Sequence, residues 1–237
     1  TGVNTDSRSF AAKGDDGYNV VNPLGSGNFL GDCAANASLC NDKLIGVYSF
    51  AAVTDLYDGV RPANGEDYNG HGSHTASTAA GNVLHDVSVL VPGSRTQVSD
   101  GTDSGTILPK MSGVAPHANV ISYQVCGQSA CYPSLSVASV EQAIKDGVDV
   151  LNYSIGPTGG AQTDPWNSPV HSAFLAARES GIVVAMAAGN DGPTESTVGN
   201  IAPWALSVAA TTHERTWSHE VTGSDNLGVA APLVEGA

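Results

Sequence analysis

From residue 120 to residue 210 the chain alternates apolar runs of strand length with helical segments, and few folds accept that order. The runs cover residues 120–125, 148–155, 182–188 and 205–210, with an earlier one at 44–50. Each is rich in Val, Ile, Leu or Ala and bounded by turn residues, as a buried strand requires. A helix opens at Pro133-Ser134, carries Val137, Val140 and Ile144, and stops near Asp146-Gly147. A second runs from about 168 to 180, with Val170, Phe174 and Leu175 on one side and Gly181 closing it. Proline at a helix start and glycine just past its end punctuate both as expected. Strand, helix, strand, helix, strand predicts an α/β fold: right-handed crossovers and a mostly parallel sheet covered by helices on both faces. Ligands of such sheets bind beyond the carboxyl ends of the strands. Chemistry is therefore expected in the turns Ser154-Ile155-Gly156 and Gly189-Asn190-Asp191-Gly192-Pro193.

Residues 69–82 form the second organised stretch. Asn69-Gly70-His71-Gly72-Ser73-His74 leads into Thr75-Ala76-Ser77-Thr78-Ala79-Ala80-Gly81-Asn82. So many small residues suit a helix pressed closely against a sheet. His71 and His74 fall on neighbouring positions of one helical face, and a histidine exchanges protons near neutral pH. Residues 1–42 and 54–70 read as loop, the latter made acidic by Asp55, Asp58, Glu66 and Asp67. Residues 84–112 show no sustained period and read as a long excursion.

Charge excludes several partners. Nine Lys and Arg stand against 23 Asp and Glu, a formal net charge of −14. Such a surface repels nucleic acid and anionic membrane. No run approaches the roughly 18 apolar residues of a spanning helix. The four cysteines lie in two close pairs, Cys33/Cys40 and Cys126/Cys131, neither with C-x2-C spacing. Two short-loop disulfides in an oxidising compartment are favoured over four unpaired thiols.

Four motifs now converge. His71-Gly72-Ser73-His74 resembles the histidine motif of the subtilisin-like serine proteases, the subtilases of peptidase family S8, usually H-G-T-H. Gly113-Val114-Ala115-Pro116-His117-Ala118 resembles that family's G-V-A-P-x-A turn. Residues 149–156 resemble its substrate-binding strand, and Ala187-Ala188-Gly189-Asn190 the segment carrying its oxyanion asparagine. All four follow the family's order. The resemblance implies a three-layer fold, incomplete at both ends, and hydrolysis of protein peptide bonds by an Asp-His-Ser triad. It makes His71 the general base, Asn190 the oxyanion donor and His74 structural. Ser154, Ile155 and Gly156 would bind the substrate backbone, with Ala188 and Gly189 beside the pocket for the residue before the scissile bond (P1).

The resemblance also places an aspartate just ahead of Thr1-Gly2-Val3 and the nucleophile in a G-T-S-M-A motif, which the sequence does not contain through Ala237. The chain is therefore expected to be an internal fragment, inactive alone. Residues 1–212 would be part of the catalytic domain. Residues 203–212 resemble the strand before the protease-associated insert of larger subtilases, so 213–237 would begin that insert. The resemblance implies a secreted, monomeric enzyme acting on proteins or peptides and partnered by the rest of its catalytic domain. It implies no cofactor or metal for the chemistry, and admits structural calcium. Small pocket-wall residues suggest a large apolar P1 side chain, and the acidic surface basic flanking residues. Three alternatives differ in class. Asp103-Ser104-Gly105-Thr106 fits an aspartic-protease motif, but no second full match is present and that fold is mostly β. His71 and His74 could begin a metal site, but no flanking motif supplies further ligands. A non-catalytic fragment or inactive peptide-binding module of the same fold is the third.

Overall fold

Two three-stranded parallel sheets stand where the pattern predicts one. The computed structural model describes residues 1–55, 64–67, 69–91, 101–127, 130–157 and 164–212, and the backbone of 222–224 and 230–232. In chain order the elements are β1 (Leu30–Gly31), α1 (Asp32–Ala35), β2 (Leu44–Tyr48), α2 (Ala51–Thr54), α3 (His71–Ala80), β3 (Leu84–Val91) and β4 (Thr102–Met111). Then come β5 (Val120–Tyr123), α4 (Pro133–Asp146), β6 (Val150–Tyr153), α5 (Pro169–Glu179), β7 (Val183–Ala187), β8 (Leu206–Val208), β9 (Thr222–Ser224) and β10 (Ala230–Pro232). The first sheet runs β1-β2-β5 and the second β6-β7-β8, all neighbours parallel. The mixed α/β class and the parallel pairing are as expected, and the five apolar runs shorten to β2, β5, β6, β7 and β8.

The helix punctuation works as read. Pro133 opens α4, and Gly147 ends it in the left-handed conformation, φ 71°. The Ser168 hydroxyl caps α5 by accepting from the His171 amide at 3.3 Å. Both helices pack on one face of the second sheet, around Val140, Phe174, Ala177, Ile182, Val184 and Met186. Its other face leaves Val150, Leu206 and Val208 exposed, so helices cover one side of it among the described residues. The first sheet has its own core of Val3, Phe10, Cys33, Leu44, Val47 and Val120, against which Ala76 and Ala80 of α3 pack.

Residues 84–112 need correction. They contain an antiparallel ribbon, β3 paired with β4 from Leu84↔Met111 to Val91↔Thr102. Its Leu90, Val91 and Ile107 are exposed. A two-stranded ribbon with no strongly buried face shows no clean alternation, so periodicity could not reveal it. Residues 1–42, read as loop, also hold a 3-10 turn (Arg8–Phe10), β1 and α1. Phe10 is fully buried, and Asn82 donates to the carbonyls of Arg8 and Ala11 at 3.1 and 2.7 Å, fastening this segment to the end of α3. The insert expected over residues 213–237 lies outside the described residues, apart from the backbone of the antiparallel pair β9 and β10.

The Gly113-Val114-Ala115-Pro116 turn has a physical explanation. The last carbonyls of a helix lack partners within it. Here the amides of Gly113, Val114 and Ala115 donate to the carbonyls of Gly81, Thr78 and Ala79 at 2.9, 3.0 and 2.9 Å. Position 113 faces the α3 backbone so closely that a Cβ would collide with Ser77 and Gly81. Below the turn, the fully buried Lys43 donates its Nζ to the carbonyls of Pro116 and Ala118 at 2.7 and 2.5 Å. Burial lowers the Lys43 amine to about 8.

The two sheets do not pair with each other. β5 ends the first and β6 the second. Residues of both edges line one apolar cavity of about 620 Å³.

Candidate active site

His71 is the first residue of α3 and exposed. Its place is set by the residues before it. Gly70 enters the helix at φ 92°, where side chains are disfavoured;. The Asp67 carboxylate then caps the free amides of the first turn. Its Oδ1 accepts from the amides of Asn69 (3.0 Å) and Gly70 (2.9 Å). Its Oδ2 accepts from the amide (2.8 Å) and hydroxyl (2.7 Å) of Ser73. Burial alone would push this carboxyl up, but these donors outweigh it and hold Asp67 below its usual value. A carboxylate there also complements the positive helix end. The sequence reading took Asp67 only as loop charge; its position just ahead of a glycine-led helix start was the usable signal.

The first residues of the chain run alongside. The Thr1 hydroxyl accepts from the Gly72 amide at 2.7 Å, and the Ser73 hydroxyl accepts from the Asn4 amide at 2.8 Å. Gln124, fully buried beyond β5, donates to the carbonyls of Thr1 and Glu66 at 3.2 and 2.9 Å. Gly72 stands so close to the Gly2 backbone that no Cβ fits between them. The glycine at position 72 thus reflects a real close approach.

The structure brings His71 and the turn after β6 together. His71, Thr75, Ser154 and Ile155 line the cavity between the two sheets. Ser154 and Ile155 are half-buried and Gly156 is exposed. Ala188, Gly189 and Asn190 do not line this cavity; they follow β7 and turn toward β8. The Ala188 amide donates to the Val208 carbonyl at 2.8 Å, Gly189 takes φ 116°, and Asn190 is exposed. The link between the two turns is Asn200, missed in the sequence reading. Its amide nitrogen donates to the carbonyls of Ile155 and Ala187, both at 2.8 Å.

Cys33 is bonded to Cys40 and Cys126 to Cys131, as the close pairs suggested. The second bridge closes the short loop between β5 and α4, across which the Tyr132 amide donates to the Val125 carbonyl at 3.1 Å. His74 is exposed on α3. Among the described residues no three His, Cys, Asp or Glu side chains gather as metal ligands. Residues 103–106 lie in the ribbon strand β4, not at a paired-carboxylate site.

These features define an α/β protein with a histidine-bearing helix beside the carboxyl ends of parallel strands. The chain belongs to the subtilase family, whose model matches residues 15–232. It is 36% identical over 220 residues to the subtilisin-like protease SBT1.7 of Arabidopsis thaliana, covering 91% of this chain and 26% of that protein. It is 37% identical over 224 residues to SBT5.4 of the same plant, covering 91% of this chain and 25% of that protein. The chain therefore spans about a quarter of the length of these relatives. Among solved structures, Sphericase aligns at 28% identity and TM-score 0.39, over 64% of this chain and 43% of that one. A cold adapted subtilisin-like serine proteinase aligns at 22% identity and TM-score 0.41, over 63% and 42%.

Proposed function

We propose that the whole protein is a serine endopeptidase cutting peptide bonds through an Asp-His-Ser triad. This chain would supply His71 as general base, residues 154–156 as the peptide-binding strand and Asn190 as the oxyanion donor. The observation that carries the reading is the shared cavity, whose lining includes His71, Ser154 and Ile155. A substrate laid along 154–156 as an added strand would present its carbonyl near the imidazole. A serine from elsewhere in the protein attacks that carbonyl carbon as His71 takes the hydroxyl proton. The proton then passes to the leaving amine as the C–N bond breaks, and water hydrolyses the acyl-enzyme. The Asn190 amide would donate to the oxyanion, a role whose loss costs about 10²–10³ in turnover in subtilisin.

Two further observations support completion by other segments. The open edges of β5 and β6 flank one apolar cavity, which suits another parallel strand supplied by the rest of the catalytic domain. The Thr1 hydroxyl accepts from the amide of Gly72, next to His71, so the start of the described chain lies beside the beginning of α3. The family resemblance puts the triad aspartate just ahead of Thr1. Residues 1–212 are then part of the catalytic domain and 213–237 the start of an insert. The two disulfides favour an extracellular compartment;.

The test is a fluorophosphonate probe on the full-length protein, read by intact mass. An adduct that forms in the wild type and is lost in His71→Ala is the expected result. A folded full-length protein that takes no adduct and cleaves no peptide would overturn the reading in favour of a peptide-binding module.

A further inference from the structure

Where β6 and β7 part, a buried side chain fills the fork. Their pairing ends at Tyr153↔Met186, and from Ala185 onward β7 pairs with β8 on its other edge. Two carbonyls are left facing the opening, Ile155 from the peptide-binding turn and Ala187 from the segment leading to Asn190. The single amide nitrogen of Asn200 donates to both at 2.8 Å. One nitrogen serving two oxygens at that length keeps them within about 6 Å of each other. The bridge also lies beneath Gly156, where an added Cβ would meet Asn200 Nδ2 at 3.2 Å.

Asn200 does not orient itself. Both of its N–H groups are committed to carbonyls, so its Oδ1 must face away and accept. The partner is His171 Nε2 at 3.2 Å, which assigns the proton to Nε2;. His171 Nδ1 is then a buried acceptor with no partner among the described residues. An apolar residue would fill that site at lower cost. The His171 backbone is held twice: its amide donates to the Ser168 hydroxyl at the start of α5, and its carbonyl accepts from Trp204 Nε1 at 2.9 Å. His171 and Asn200 are 3% and 4% exposed, so water does not compete for these bonds.

We propose that Asn200, oriented by His171, sets the distance between the peptide-binding turn 154–156 and the segment 187–190, and thereby the width of the P1 pocket. Both are positioning residues, since neither reaches the substrate. The proposal rests on the peptidase reading for the word substrate; the bridge itself is a claim about backbone geometry.

The experiment uses the full-length protein with Asn200→Ala, His171→Ala and His171→Gln. It measures kcat and KM over a peptide set varied at P1, and amide exchange by mass spectrometry. In Asn200→Ala, KM for the best P1 residue should rise about tenfold, with a smaller change in kcat and a flatter P1 preference. Exchange should quicken at 153–157 and 187–190 while the β2 and α4 amides stay protected. His171→Ala should move both readouts the same way by less, and His171→Gln, which can still donate to Asn200 Oδ1, should restore them. A folded Asn200→Ala with the wild-type P1 profile and exchange would overturn the proposal. So would exchange that quickens evenly across the domain, which marks plain destabilisation. A wild type that cleaves nothing would overturn the peptidase reading instead, and local exchange would still decide the bridge.

Discussion

Replacing Asp67 by alanine removes the cap of the helix that begins with His71. Four donors lose their acceptor. The amides of Asn69 and Gly70 lie at exposed positions and can turn to water, so they contribute a few tenths of a kcal/mol each;. The Ser73 amide and hydroxyl are partly buried and bond a charged oxygen, worth about 1–1.5 kcal/mol apiece;. The expected loss is about 2.5–3.5 kcal/mol at neutral pH, above the usual range for an N-cap because one carboxylate serves four donors;. For a chain of this size that is roughly 5–10 °C in melting temperature. The pH dependence gives an independent check. Asp67 titrates lower in the folded state than the ordinary aspartate value of 3.8. Its contribution is therefore complete above about pH 4 and is lost as pH falls through the folded value. Denaturant unfolding of wild type and Asp67→Ala from pH 7 to pH 2.5 should show a gap that closes on the acid side. Amide exchange at 71–75 should quicken in the variant. A gap below about 0.5 kcal/mol at pH 7, or one that stays constant down to pH 2.5, would refute the capping argument.

Other outcomes follow from buried groups. The Lys43 amine is lowered to about 8 in the folded protein against the ordinary 10.5 of the unfolded chain, so stability should rise between those values by up to about 1.4 kcal/mol per pH unit. Lys43→Met should abolish that rise and strand two carbonyls, measurable by denaturant titration at pH 7 and 10. Phe10→Ala empties a fully buried site beneath α3 and should cost about 3–5 kcal/mol in the same assay;. Selective loss of the Cys33–Cys40 bridge, by paired serine substitution, opens a loop of sequence separation 7 and should cost about 2–2.5 kcal/mol;. Asn190→Ala in the full-length protein should lower kcat by about 10²–10³ with KM little changed.

The elements that were legible from residue order are those with a strong local signal. Proline at the start and glycine at the end marked α4 and α5, and runs rich in apolar residues marked β2, β5, β6 and β7. The ribbon β3–β4 had no such signal, because neither of its faces is deeply buried. Residues 1–42 looked like loop because their short turns are held by distant partners, such as Asn82 for the carbonyls of Arg8 and Ala11. His71, the 154–156 turn and Asn190 were singled out as candidates through motifs and position at strand ends. Asp67 was passed over although its place ahead of a glycine-led helix start was a usable signal, and His171 and Asn200 were missed because nothing local distinguishes a bridging asparagine or its histidine partner from ordinary residues.

What residue order alone determined was the α/β class, the parallel pairing, the cysteine pairs and the family. The first three follow from patterns within a few tens of residues, periodicity, punctuation and cysteine spacing, and the family from the resemblance of four motifs in order along the chain. Only the tertiary structure decided that the strands part into two sheets with a shared cavity between β5 and β6. Only it showed that the G-V-A-P turn caps α3 and that one buried amide spans the fork beyond β6 and β7. Each of these depends on hydrogen-bonding groups far apart in the chain, whose meeting is set by packing rather than by any local preference.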